Sequence, residues 1–99
     1  MKKHAIHFVK SVAVVGTYTL KLGFEDGVEQ VINLEPVLRG QLYGPLRDQK
    51  LFSQVRIDSE VKTITWPNGA DFDPATLHDW QNCGPKLIEL AKQWELCAA

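Results

Sequence analysis

The nine residues Trp66-Pro67-Asn68-Gly69-Ala70-Asp71-Phe72-Asp73-Pro74 constrain this chain more than any other stretch. Proline cannot donate to a strand ladder, so Pro67 ends the strand-like run before it. Asn68-Gly69 supplies backbone angles that branched residues avoid. Asp73 is a good helix N-cap, and Pro74 is preset for the first helical position. Asp71 reads as a turn residue that bonds its own backbone. Trp66, Pro67, Asn68, Gly69, Asp71 and Asp73 therefore form a structural motif that ends a strand, turns and starts a helix. The chain before the motif should be sheet, and the chain after it should be helix.

The segment before the motif supports that division. Residues 5–15 are rich in β-branched side chains, and both alternating sets are partly apolar. Such a strand is either covered on both faces or bulged. Tyr18, Leu20, Leu22 and Phe24 then alternate with Thr17, Thr19, Lys21 and Gly23, which predicts a strand with one buried and one wet face. The turn Glu25-Asp26-Gly27 sets the next register. A two-residue loop would place Phe24 opposite Glu29 and Leu22 opposite Val31. A three-residue loop with Gly27 left-handed instead pairs Phe24 with Val28, Leu20 with Ile32 and Tyr18 with Leu34. The second keeps more apolar pairs on one face and is preferred.

Pro36 stops the third strand, and residues 36–40 can form one helical turn closed by Gly40. Residues 41–45 read as a connector, and 45–52 as a short helix whose Leu46, Leu51 and Phe52 cap the sheet. Residues 55–58 and 62–66 predict a second hairpin. After the motif, one helix is expected over about 74–82 and another over about 85–97, separated by Gly84-Pro85. Leu87, Leu90, Ala91 and Trp94 make an apolar stripe on the latter. The expected fold is α+β: a meandering antiparallel sheet of about five strands, a short helix between strands three and four, and two C-terminal helices.

With 99 residues, one domain is expected, with a strand-rich core over about 5–73 and a helical extension over about 74–99. A formal net charge of -1 gives no bulk attraction to nucleic acid or anionic lipid. No apolar run approaches the roughly 20 residues that a membrane helix needs. The basic start runs into alternating residues rather than an apolar signal segment. Cys83 and Cys97 are therefore read as reduced thiols in a cytoplasmic protein.

Gly44-Pro45-Leu46-Arg47-Asp48, Phe52-Ser53-Gln54-Val55 and Trp66-Pro67-Asn68-Gly69-Ala70-Asp71, in that order, resemble the small bacterial family called domain of unknown function 2442. Leu20 through Gly27 is similar to that family's strand leading into an acidic-glycine turn. The resemblance covers roughly residues 8–78. It implies an α+β fold with an antiparallel meander, and no known enzymatic activity. Some members of the family carry a helix-turn-helix DNA-binding domain after this module. Others stand alone, some beside toxin-like partners, which implies an antitoxin-like or regulatory role. Residues 75–99 extend the short form. They hold Lys86 and Lys92 against Asp79, Glu89 and Glu95, the wrong balance for a DNA reader.

The chemistry-bearing residues have structural readings. His4 and His7 would need His78 or Cys83 to bind a metal, but positions 4 and 7 of a strand point to opposite faces. Asp71, Asp73 and Asp79 with His78 could form an acid-base cluster, although capping and turn roles account better for the first two. Cys83 and His78 lack a third orienting group. Ser11, Ser53 and Ser59 have no nucleophile-elbow context, and no phosphate-binding loop follows Gly40 or Gly44.

No catalytic, cofactor-binding or metal residue is assigned, and no cofactor is expected. Trp66 is read as core. Leu87, Leu90 and Trp94 are the candidate partner contacts, because aromatic anchors are enriched at interfaces. The expected function is a non-enzymatic protein-interaction module that binds a partner protein or a second copy. The alternatives are a DNA-associated regulator, with nucleic acid possible but not favoured, and a small-molecule or metal-binding enzyme.

Overall fold

The computed structural model describes residues 8–97, with side chains described through Trp94. Three antiparallel strands come first: β1 (Val9–Gly16), β2 (Thr19–Phe24) and β3 (Glu29–Asn33), paired in the order β1-β2-β3. The β2–β3 register places Leu20 opposite Ile32. Phe24 N–H donates to the Val28 carbonyl at 2.9 Å, and Leu34 N–H to the Tyr18 carbonyl at 2.8 Å. These are the pairs of the three-residue loop. Gly27 closes it at φ 92°, where an L side chain would be strained.

The alternation of β2 and β3 has its expected consequence. Leu20, Leu22, Phe24 and Ile32 are buried on one face, and Lys21 and Val31 are exposed on the other. Strand β1 departs from expectation. Only Val9 is buried, so the strand is not covered on both faces, and its register shifts between Val9 and Ser11 and again between Val14 and Gly16. The bulged reading is the one that holds: two extra residues absorb the mismatch between its apolar pattern and a half-wet sheet.

The remaining strands form a separate two-stranded sheet, β4 (Arg56–Ile57) with β5 (Ile64–Thr65), and not a five-strand meander. Each is short because its ends are diverted. Asp58 Oδ1 accepts from the Glu60 and Val61 N–H groups, which curls the chain away after Ile57. Those two donors hold the Asp58 carboxyl below the ordinary carboxylate range. One main-chain bond, from Val9 N–H to the Lys62 carbonyl at 2.9 Å, ties β1 to this hairpin.

The helical parts have different boundaries from those expected. Residues 35–37 form a 3₁₀ turn, α1 spans Gly40–Tyr43, a second 3₁₀ turn spans Gly44–Arg47, and α2 spans Gln49–Phe52. Gly40 thus opens a helix and does not close one, and the 41–45 connector is helical. The expected 45–52 helix is cut at Asp48, whose backbone is extended and whose side chain accepts from the Lys50 N–H. Leu46 and Phe52 are buried against the sheet as expected.

After the motif come α3 (Pro74–His78) and α4 (Trp80–Cys97), a pair whose break lies at Asp79, not at Gly84-Pro85. Asp79 leaves helical angles (φ −111°, ψ 50°), and its carbonyl accepts from the Asn82 and Cys83 N–H groups to begin α4. The helix then runs through Pro85. The carbonyl that Pro85 leaves without its amide partner belongs to Gln81, an exposed residue that water can reach. Gly84 has a packing reason: a Cβ there would lie 2.7 Å from the Trp80 indole. No helix among the described residues is long and apolar enough to cross a membrane.

Candidate functional site

The Trp66–Pro74 motif is a second tight turn of the kind seen at Gly27. Gly69 N–H donates to the Trp66 carbonyl at 3.0 Å, and Trp66 N–H to the Ala70 carbonyl at 2.9 Å. Gly69 lies at φ 91°. Asn68, and not Asp71, closes the turn on its own backbone, through Oδ1 to the Ala70 N–H. Asn68 Nδ2 also donates to the Leu42 carbonyl at 3.0 Å, tying the turn to α1. Asp71 instead bridges back to Thr65, so the segment is a hairpin before it is a helix start. Asp73 then caps α3 by accepting from the Thr76 N–H at 3.2 Å.

The motif also contributes to the core. Trp66 is 2% exposed, and its Nε1–H donates to the Phe52 carbonyl at 2.9 Å. Thr63 Oγ1, buried nearby, donates to the Phe72 carbonyl at 2.6 Å. Within the motif, the side chains of Trp66, Asn68 and Asp73 and the positive φ of Gly69 thus serve the core, the turn and the α3 cap.

Two surface sites lie along α4. In the first, Tyr43 is stacked between Phe72, at 4.8 Å between ring centroids, and Trp94, at 5.2 Å. The Tyr43 hydroxyl donates to the Asp71 carbonyl at 2.6 Å. Burial, and then the Asp71 charge, raise the Tyr43 pKa above the ordinary phenol value. Arg39, Gly40, Gln41, Leu42, Tyr43 and Trp94 line a pocket of about 280 Å³. Trp94 is thus partly committed to its own chain.

The second site is an open groove of about 250 Å³ lined by Thr76, Cys83, Lys86, Leu87 and Leu90. The apolar stripe of α4 divides here. Ala91 is fully buried, Leu87 is half-buried, and Leu90 is 50% exposed. Helix α4 packs on α1, α3 and the 35–37 turn. It leaves Val31, on the second face of the sheet, 63% exposed. Cys83 is a free thiol on the groove wall.

The histidine and acid candidates do not converge as a catalytic cluster. His78 Nε2 lies 2.7 Å from Asp26 Oδ2, across the turn after β2, and its ring meets Phe24 edge-on at 4.9 Å. Its carbonyl accepts from Gln30 Nε2 at 2.6 Å. Asp79 accepts from Asn82 Nδ2 at 2.9 Å. The pair Asp26–His78 docks α3 onto the β2–β3 hairpin, and sequence reasoning misses it because 52 positions separate the two residues. No group of three His, Cys, Asp or Glu among the described residues is arranged to hold a metal. His4 and His7 lie outside the described residues, as does the side chain of Cys97.

The chain matches the family described as "Protein of unknown function (DUF2442)" over residues 9–82, and it belongs to that family. The match ends within the first turn of α4, so Cys83, Leu87, Leu90 and Trp94 lie beyond it. Comparison with curated proteins and with solved structures finds no match in either set.

Proposed function

We propose that this DUF2442-family protein is a non-enzymatic interaction module whose α4 groove receives an apolar side chain of a partner protein. The observation that carries the reading is Leu90, half exposed in the groove with Leu87 and Cys83. A leucine kept at a helix surface beside a concave apolar wall is the arrangement that a knob from another protein fills. Lys86 at the rim favours an acidic residue next to that knob. The motif and His78 support the non-enzymatic half of the reading, since their polar groups serve turns, caps and docking. An antitoxin-like or regulatory task, as the resemblance implies, is the form such binding takes in this proposal.

The test is co-purification from the native host with wild type and Leu90→Asp. A stoichiometric partner retained by wild type and lost by the variant, with an unchanged thermal melt, is the expected result. Equal retention by the variant overturns the assignment of the groove. A salt-dependent shift of DNA by the purified chain would overturn it in favour of nucleic-acid binding.

A further inference from the structure

We propose that the face formed by the 35–37 turn and α1 is a binding site for an amphipathic helix, that α4 occupies it in cis, and that α4 can leave it to a helix of another protein. This face is distinct from the α4 groove, and nothing about it depends on the groove's partner. It lies wholly inside the family match, which ends at Asn82, whereas the segment that covers it lies beyond. The module and its cover are thus separable in sequence as well as in space.

Helix α4 sits on this face as a ligand helix would. Leu87, Ala91 and Trp94 follow the i, i+4, i+7 spacing of anchors laid into a groove. Ala91 is fully buried, and Leu87 and Trp94 are half-buried. They pack in one cluster with the buried Val37 and Leu38. Trp94 stacks on Tyr43 at 5.2 Å between ring centroids. Gly40 admits the helix closely, since a Cβ there would lie 3.0 Å from the Trp94 Cβ. The cis helix does not fill the face: Leu42 stays 43% exposed beside the pocket of about 280 Å³. A helix with a larger apolar anchor at that point would bury more of α1 than α4 does, which is what selects a competing amphipathic helix as the occupant.

Two features make the cis contact reversible. The first is that it is apolar. Among the described residues, the side chains of Cys83–Trp94 make no hydrogen bond or ion pair with α1, α3 or the 35–37 turn, and the Glu89–Lys92 pair at 3.2 Å lies within the helix. Opening therefore strands none of these polar side chains. The second is the joint. Gly84-Pro85 comes directly after the end of the match. Pro85 has no N–H, so the helical ladder skips a bond there, and glycine adds backbone freedom. Lys86, Leu87 and Leu90 lie beyond this joint, so opening also takes the groove apart. A helix bound on the α1 face thereby excludes a knob from the groove.

The test uses the full chain, with a fluorescein-labelled peptide of residues 83–97 as the probe. In wild type, native-state amide exchange is expected to give Ile88 through Trp94 a common protection factor about tenfold or more below those of Leu20 and Leu22 in β2. By anisotropy, the peptide is expected to bind the Ala91→Asp and Trp94→Ala chains about tenfold or more tighter than wild type, whose own α4 competes. A peptide carrying Trp94→Ala is expected to bind none of them. Helix α4 amides protected as strongly as Leu20 and Leu22 overturn the proposal, because the helix would then leave only on global unfolding, and that outcome needs no variant. Folded variants that bind the peptide no better than wild type overturn it too. Neither readout involves the partner of the groove, so its retention or loss by Leu90→Asp is decided separately.

Discussion

Replacing Trp66 with phenylalanine tests whether the indole holds the β5 hairpin to the α2 end. The ring is 2% exposed, and it sits 5.8 Å from the rings of both Phe52 and Phe72. Phenylalanine keeps an aromatic at the site but loses the Nε1–H donor and about three heavy atoms. The Phe52 carbonyl would not be orphaned, because it also accepts from the Val55 N–H at 3.3 Å. The lost bond should therefore cost about 1 kcal/mol, not the larger penalty of an unpaired buried group. The partly filled cavity adds about 1–2 kcal/mol. The sum is about 2–3 kcal/mol, or a fall in Tm of roughly 10–20 °C for a chain of this size. Urea denaturation followed by far-ultraviolet circular dichroism is the suitable assay, since the substitution alters fluorescence. A loss below about 0.5 kcal/mol, with the slope unchanged, would refute the assignment of Trp66 as the keystone of this core.

Two further outcomes are expected. Asp73→Ala should cost about 1 kcal/mol through loss of the α3 cap, with faster amide exchange at Thr76, and unchanged exchange there would show the cap to be idle. Tyr43→Phe should cost about 1 kcal/mol at neutral pH by removing the bond to the Asp71 carbonyl. Because folding raises the Tyr43 pKa, its contribution is full below the unfolded value of about 10 and is lost as pH rises through the folded value. The gap between wild type and Tyr43→Phe in denaturation midpoint should narrow above that pH, and a constant gap would show that the hydroxyl is not shielded.

The parts legible in the sequence are those fixed by neighbours a few positions apart. Gly27 with the alternation of Leu20, Leu22 and Phe24 suffices for the hairpin register, because a one-residue slip would move every apolar side chain to water. Asp73-Pro74 suffices for the start of α3. The departures have a different origin. Gly84-Pro85 carries the local signature of a break, yet Trp80 packs on Gly84 and the turn that Pro85 interrupts is at the exposed Gln81, so α4 continues. Asp48 and Asp79 cut helices that apolar spacing alone would join. The β4–β5 hairpin is legible, but not its separation from the first sheet, because Asp58 shortens its strands through bonds that spacing does not display.

The candidate sites are legible only in part, for the same reason. Leu87, Leu90 and Trp94 follow from helical spacing, but Tyr43 beside Trp94 and Asp26 beside His78 are products of tertiary docking. That docking bears on function as well. Once the motif, Tyr43 and His78 are occupied by turns and stacking, Leu90 and the Val14–Val15 edge remain among the large apolar side chains open to solvent. They lie on different elements, and of the two only Leu90 lines a groove. A knob in a groove is sensitive to the size and charge of the side chains that line it. Leu90→Asp therefore tests the groove directly, and the variant is expected to lose the partner while keeping the same fold.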